Sequence, residues 1–227
     1  MAPSERALSD LAETMFRTNA RGRLVGATPH FHMLRTPGLV ICRCHEDLAD
    51  DAAAKLRRLS QRQRGRPSQW AHEYADFLRV LSAHGALKAV RAGPLYGFPD
   101  FRGASTDAVG IDAGNTDLLL GGLDEWAPDA ALGRPMAAMI VDGRAVSVCT
   151  SVNASAAAHC AGVETVPVYR GRGFARLAVA AWAKQVQAIG AAPYYGTTFD
   201  NLASQGVARR LGLDLIAAEF TVECELG

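Results

Sequence analysis

The sequence has no apolar run of about 18 residues, the length that a membrane-spanning helix needs. It does not begin with a basic segment followed by an apolar stretch, so we expect no secretory signal peptide. Its 24 Lys and Arg balance 23 Asp and Glu, which argues against general attraction to nucleic acid or to an anionic membrane surface. We therefore expect a cytoplasmic protein without a nucleic-acid or membrane partner.

Cysteine is scarce and unpatterned. The five cysteines include no C-x-x-C pair and their number is odd, which argues against a disulfide framework. Cys42, Cys44 and His45 form a C-x-C-H cluster, but it lies at the end of the apolar stretch "GLVICRC" and no second ligand pair has zinc spacing. The pattern favours buried small side chains, and we predict no metal site.

The sequence does have enough apolar material for a core, since 49% of its 227 residues are hydrophobic and 21% are charged. Apolar spacing in the first 130 residues predicts helices over 4–17, 47–60 and 68–84 and strands over 38–44 and 86–98. Gly, Pro and polar residues predict loops over 21–37, 61–67 and 99–117.

From residue 136 onward the pattern is dominated by strands. The stretch "MAAMIVDGRAVSVCTSV" (136–152) predicts a hairpin around Asp142 and Gly143, because such a turn needs positive φ at both central positions. The elements predicted after it are a strand over 157–166, a helix over 174–189, a strand over 192–199, a helix over 201–211 and one or two strands over 213–225. This order predicts a mixed α/β fold, with a mostly antiparallel sheet flanked by helices.

The stretch "YRGRGFARLAVAAWA" (169–183) places two glycines and three arginines between a predicted strand and a predicted helix. Glycine lets a ligand approach the main chain, and the unpaired N–H groups of a first helical turn favour an anion. Arg170, Arg172 and Arg176 add guanidinium groups that bind phosphate. The stretch matches neither the Walker A nor the dinucleotide pattern, so by itself it predicts either a diphosphate loop or a structural turn.

Two segments together resemble the coenzyme A-binding motifs of the GNAT superfamily, the acyl-CoA-dependent N-acyltransferases. The first, "VETVPVYRGRGFA" (163–175), resembles the family's Gln/Arg-x-x-Gly-x-Gly/Ala loop, with Arg170, Gly173 and Ala175 at motif positions. The second, "NLASQGVARRLGL" (201–213), resembles the family's next helix, which begins with Asn and ends in Leu-Gly and an apolar or aromatic residue.

This resemblance covers about residues 135–223 and implies a GNAT-fold core over 131–227 that uses acetyl-CoA as cosubstrate. Strand main chain would meet the pantetheine arm and the acetyl carbonyl, loop N–H groups would bind the diphosphate, and the next helix would face the coenzyme. The residues implied in coenzyme binding are Val163, Thr165, Arg170, Gly171, Arg172, Gly173, Phe174, Ala175, Arg176, Asn201 and Ser204. For the last two, plain helix capping is the alternative.

One departure concerns the proton donor. Many family members have a tyrosine seven residues after the motif Asn, proposed to protonate the leaving thiolate, whereas this chain has Ala208 there. A thiol has an ordinary pKa of about 8.5, so releasing it as thiolate at pH 7 costs only about 2 kcal/mol. Water can cover this cost, and the side-chain alternatives are Tyr194, Tyr195 and Ser204.

The acceptor amine needs a base, because deprotonating a lysine-like amine at pH 7 costs about 4.6 kcal/mol. The predicted catalytic base is Glu164, which stands on a predicted strand beside the implied acetyl site. His159, Asp124 and Glu125 are alternatives, and Glu164 could instead be an exposed strand carboxylate or the partner of an arginine.

The reaction implied is direct transfer of an acetyl group to a primary amine of a small molecule or peptide. A non-catalytic acyl-CoA sensor or structural half, and a transferase of a longer acyl chain, are the alternatives. Residues 1–130 show no such motif. They either supply the first strand and helices of the same domain or form an accessory α/β half that completes the acceptor site, and we favour the second. The sequence also leaves open whether the protein forms a homodimer.

Overall fold

The computed structural model describes residues 3–63, 74–101 and 107–226. Its helices are α1 (Glu5–Met15), α2 (Asp50–Gln61), α3 (Ala75–Ser82), α4 (Ala127–Ala130), α5 (Phe174–Ala188) and α6 (Leu202–Arg210). Its strands are β1 (Phe31–Arg35), β2 (Val40–Cys44), β3 (Gly85–Gly97), β4 (Val109–Gly110), β5 (Met136–Val141), β6 (Arg144–Ala154), β7 (Ala158–Thr165), β8 (Ala192–Gly196) and β9 (Asp214–Leu226). Residues 64–73, which include parts of the predicted turn over 61–67 and helix over 68–84, lie outside the described residues.

The chain divides into two compact units. The first contains the described residues up to Leu95, Thr197–Phe199 and the residues from Ile216 onward, and the second contains Tyr96–Gly196 and Asp200–Leu215. This division does not follow the predicted boundary between residues 130 and 131. One reason is that residues 218–222 of β9 pair with β1 in the first unit.

In the first unit the strands lie in the order β2-β1-β9-β3. Strand β1 pairs antiparallel with both β2 and β9. Its residues were predicted as part of a loop over 21–37, and that prediction is wrong. A strand between two neighbours and buried along its whole length shows no alternation of polar and apolar residues, so its sequence "FHMLR" carries no period of two.

Aromatic packing dominates the core of the first unit. The ring of Phe220 on β9 is fully buried, stacks on Tyr74 with the centroids 3.9 Å apart, and meets Phe31 and Phe77 edge-on at 6.0 and 5.9 Å. Such arrangements add to the free energy gained from burying the rings alone. Phe220 therefore joins β9 to β1 and to the helical layer over the sheet.

In the second unit the strands lie in the order β8-β7-β6-β5-β4. The hairpin between β5 and β6 turns at Asp142 and Gly143, whose φ angles of 51° and 77° confirm the predicted turn. Pairing is antiparallel from β4 to β7 and parallel between β7 and β8. The predicted mixed, mostly antiparallel sheet flanked by helices is thus confirmed, with α5 packed on one face through the fully buried Trp182.

Two smaller features complete the fold. The predicted loop over 99–117 contains the short strand β4, and the one or two strands predicted over 213–225 are the single strand β9. Among the described residues, no helix combines the length and the apolarity that a membrane crossing requires.

Replacing Phe220 by alanine should lower the free energy of unfolding by about 3–5 kcal/mol, because the change leaves a cavity among three aromatic neighbours. Urea denaturation measures the difference. The matched control is Leu215→Ala on the same strand, where the side chain is 59% exposed and the expected change is within about 0.5 kcal/mol. Equal losses in the two variants would contradict this assignment of the core.

Candidate active site

Strands β7 and β8 pair over three residues and then part. The paired residues are Ala158 with Ala192, His159 with Pro193, and Cys160 with Tyr194, and no pairing between these two described strands continues beyond them. On its other side β7 remains paired to β6 as far as Thr165. The edge of β7 at Val163–Thr165 is therefore held in place by β6 and has no β8 residue paired to it.

A cavity of about 560 Å³ lies at this gap. It is lined by Trp126, Val163, Glu164, Thr165, Tyr169, Arg170, Gly171, Gly173, Phe174, Ala175, Arg176, Tyr195, Asn201, Ala203, Ser204, Val207 and Arg210. The lining includes the predicted base Glu164 and every residue implied in coenzyme binding except Arg172. Residues chosen from two separate segments therefore meet around one space.

The loop before α5 presents bare main chain to the cavity. Gly171 and Gly173 have φ angles of 77° and 87°, a left-handed conformation that favours glycine. Gly173 is also the N-cap of α5, with no side-chain cap. A Cβ added at either glycine would meet no described atom within 4 Å. The loop thus combines the N–H groups of a helix start with open space, which fits an anionic ligand.

The arginines of the loop have different roles. Arg170 donates from Nε to the carbonyl oxygen of Thr165 at 3.1 Å, which ties the loop to the end of β7. The guanidinium of Arg172 lies over the ring of Tyr169, 5.2 Å from its centroid, and its side chain is outside the cavity lining. Arg176 lines the cavity and is exposed.

Helix α6 contributes a second wall. The side chain of Asn201 caps the helix by accepting a hydrogen bond from the N–H of Ser204 at 3.0 Å, so the capping alternative is met while both residues also line the cavity. Val207 and Arg210 line the same wall and were not predicted. The spacing Ser204, Val207, Arg210 places them on one helical face, and that spacing was the signal available in the sequence.

Adjacent residues of β7 point to opposite faces of the sheet in the second unit. Val163 packs with the core beneath α5, whereas Glu164 is paired in register with Val148, which belongs to the core on the other face. The hydroxyl of Thr165 meets that of Ser147 at 2.8 Å. The predicted coenzyme side and the predicted base therefore lie on different faces of one strand and share the cavity at its open edge.

Glu164 is held by an aromatic side chain that the sequence did not indicate. Trp126 donates from Nε1 to Glu164 Oε2 at 2.6 Å. Its indole lies over Gly162, where an added Cβ would clash with Val152 Cγ1 and come within 3.2 Å of the ring. The missing side chain at Gly162 therefore leaves room for both Val152 and the indole that holds the predicted base.

Glu125 stands next to Trp126 in the chain and belongs to the same short 3-10 turn. A hydrogen bond with the Glu164 carboxyl, and then repulsion between the two charges, raise the pKa of Glu125 above its usual range. The carboxyl group of Glu125 therefore binds a proton more readily than that of an isolated glutamate.

The other predicted bases lie elsewhere. Asp124 accepts hydrogen bonds from the N–H groups of Gly121 and Gly122 at 3.0 and 2.9 Å, which lower the pKa of its carboxyl and fix the turn that carries Glu125. His159 is buried, and burial is the first cause of the lowered pKa of its ring. Its Nδ1 lies 2.8 Å from Ser151 Oγ, in the core rather than in the cavity lining.

Of the three candidate proton donors, two line the cavity and one does not. Tyr195 and Ser204 line the cavity, and their hydroxyl oxygens are 2.7 Å apart. Tyr194, the neighbour of Tyr195 on β8, is outside the lining. Ala208 is fully buried in the core with α5.

The C-x-C-H cluster lies in the first unit. Burial raises the pKa of the Cys44 thiol to about 12, and the pKa of the Cys42 thiol is also raised. Within the described residues, no group of three or more His, Cys, Asp and Glu side chains is placed to hold a metal ion.

Comparisons with known proteins agree with this geometry. Residues 136–219 match the family model described as GNAT acetyltransferase. A GCN5-related N-acetyltransferase-like protein from Streptococcus suis 89/1591 is 15% identical, covering 97% of this chain and 99% of that chain with a TM-score of 0.51. A protein from Drosophila is 13% identical, covering 97% of this chain and 86% of that chain with a TM-score of 0.53. No curated protein matches.

The family match confirms the resemblance inferred from the loop and the helix after it. It covers nearly the same residues, 136–219 against about 135–223. The two solved structures support the fold alone.

The hydrogen bond between Trp126 and Glu164 can be tested by NMR. Replacing Glu164 by glutamine should move the indole N–H resonance of Trp126 upfield, because a bond to a neutral amide oxygen is weaker than one to a carboxylate. Trp126→Phe assigns the resonance. Trp182, which donates to Ser151 Oγ at 2.9 Å, is the internal reference and should not move. An unchanged Trp126 resonance would show that the contact is absent in solution.

Proposed function

We propose that this chain, which carries a GNAT acetyltransferase domain at residues 136–219, transfers an acetyl group from acetyl-CoA to a primary amine. The family and the fold support the coarser activity, acyl transfer from an acyl-CoA. The observation that carries the proposal is the single cavity at which the glycine loop, the open edge of β7 and the Glu164 carboxyl meet.

The residues around the cavity fit a coenzyme A thioester. The N–H groups of Gly171 to Arg176 would hold the diphosphate, together with the guanidinium groups of Arg170, Arg176 and Arg210, which line the same space. The open edge of β7 at Val163–Thr165 offers main-chain groups to the pantetheine arm and the thioester carbonyl. When bound, the thioester supplies an activated acyl group.

The carboxyl pair would prepare the acceptor. An ammonium group that enters beside Glu164 and Glu125 is attracted by their negative charge and must lose a proton before it can attack. Glu164 would take that proton, while Trp126 holds its carboxylate in place. Main-chain N–H groups on the open edge of β7 would stabilise the negative charge that develops on the carbonyl oxygen.

The acceptor that this arrangement favours is a primary amine on a small molecule or a peptide. A non-catalytic sensor would need no base, and the Glu164 carboxyl in the cavity lining, with Glu125 beside it, supports the enzyme. We therefore propose the enzyme over the sensor. Turnover against a panel of amines, followed by release of free coenzyme A, tests the choice between them.

Replacing Gly173 by alanine should abolish or strongly weaken acetyl-CoA binding, because the methyl group would occupy the open space in front of the diphosphate-binding N–H groups. The expected readout is the rise in melting temperature that acetyl-CoA gives the unsubstituted protein and does not give the variant. The matched control is Gly212→Ala. Gly212 also has a positive φ, of 66°, and open space around it, but it lies outside the cavity lining.

Both alanine variants bear similar backbone strain, of roughly 1–2 kcal/mol, because both positions are left-handed. Loss of the ligand-induced shift in both, or in neither, would contradict a diphosphate site at Gly173.

Replacing Glu164 by glutamine should lower turnover at pH 7 by about 100-fold or more and leave acetyl-CoA affinity nearly unchanged, because a general base contributes rate rather than coenzyme binding. Part of the loss should be recovered as the pH rises, since a larger fraction of the amine is then already neutral. The pH dependence of kcat/KM measures both effects.

The control for this experiment is Asp117→Asn, which neutralises an exposed carboxylate outside the cavity lining and should leave the profile unchanged. A Glu164→Gln profile that matches the unsubstituted protein would remove Glu164 from the mechanism.

A further inference from the structure

Two hydroxyl groups lie together in the cavity beside the point where β7 and β8 part. Tyr195 is the first residue of β8 beyond the last pair, Cys160 with Tyr194. Its hydroxyl oxygen lies 2.7 Å from that of Ser204 on α6. Both side chains line the cavity that contains the loop and Glu164.

The helical position next along α6 has no hydroxyl. Ala208 lies one turn after Ser204, is fully buried, and packs in the core with α5. The aromatic ring of Tyr195 belongs to the same core, because it is only 1% exposed. A tyrosine from β8 therefore brings its hydroxyl to the cavity wall at the turn of α6 before Ala208.

One of the two hydroxyl protons is not used in the hydrogen bond between Tyr195 and Ser204. Each hydroxyl carries one O–H, and the bond between them uses only one of the two. Ser204 is the more exposed partner, so the arrangement that places the free O–H toward the cavity has Tyr195 donating to Ser204. Burial raises the pKa of Tyr195 to about 12, so the phenol stays protonated at neutral pH and remains able to donate to Ser204.

We propose that Ser204 donates a hydrogen bond to the sulfur of the leaving coenzyme, and that Tyr195 is the positioning residue that orients the Ser204 hydroxyl. This inference rests on the proposed function and adds to it the group that stabilises the leaving sulfur.

The step balances without an added reactant. The amine nitrogen forms the new C–N bond, the C–S bond breaks with its electron pair going to sulfur, and the resulting thiolate is stabilised by the Ser204 O–H. The nitrogen gives one proton to Glu164 before it attacks and loses a second to solvent as the amide forms. Glu164 releases its proton to solvent, and the thiolate takes one from solvent as it leaves. No oxidant, reductant or covalent enzyme intermediate is involved.

A binding experiment tests this role apart from turnover. Free coenzyme A is compared with desulfo-coenzyme A, in which hydrogen replaces the thiol, by calorimetry between pH 6.5 and 9. In the unsubstituted protein the preference for the thiol form should grow with pH to roughly tenfold or more, because a hydrogen bond to a charged group favours the bound thiolate. Ser204→Ala should remove this preference, and Ser204→Thr should restore it.

The positioning role is tested by Tyr195→Phe, which should reduce the same preference, and the matched control is Tyr194→Phe on the adjacent residue outside the lining. For turnover, Ser204→Ala should lower kcat by up to about 30-fold at pH 7, the cost of releasing an unassisted thiolate with a pKa of about 8.5. The loss should shrink above that pH.

Equal affinity for the two coenzymes at every pH in the unsubstituted protein would overturn the proposal, as would a preference that survives in Ser204→Ala. In either case the proposed function stands if acetyl-CoA still binds and amines are still acetylated. Failure of the unsubstituted protein to bind either coenzyme would overturn both.

Discussion

The site depends on one constraint, the separation of two parallel strands that begin as partners. Main-chain N–H and C=O groups that lose a strand partner must find another one or remain in water. Here β6 keeps β7 extended as far as Thr165 while β8 turns away after Tyr194. The rigid neighbour on one side allows the other edge to stay open, so a ligand can replace the missing strand without a rearrangement of the sheet.

The other parts of the site follow from that open edge. A short 3-10 turn, Pro167–Tyr169, joins the strand to the glycine loop, and the start of α5 lines the same gap. Arg170 fixes the loop by donating a hydrogen bond back to Thr165. The alternation of side chains along β7 sends Val163 toward the core beneath α5 and Glu164 toward Trp126. Neighbouring residues of β7 thus reach different surroundings without competing for the same space.

Short sequence patterns predicted those features that the local backbone conformation determines. The hairpin at Asp142 and the glycine loop were readable because positive φ angles demand particular residues. Trp126 was not readable, since it reaches Glu164 across 38 residues and no periodic pattern marks it. Strand β1 was missed because burial on both faces removes the alternation of polar and apolar residues. His159 was considered as a base because the sequence does not show its hydrogen bond to Ser151 in the core.

The pairing of β9 with β1 has a consequence for biosynthesis. Residues 216–226 of β9 are translated after all the other described parts of the first unit, so β1 has its partner β2 early but lacks β9 until translation of that segment is finished. Until then one edge of β1 is unpaired and the aromatic rings that pack on Phe220 are without their central neighbour. Until β9 has been synthesised, the nascent first unit therefore exposes a strand edge and apolar rings, which are features that favour aggregation.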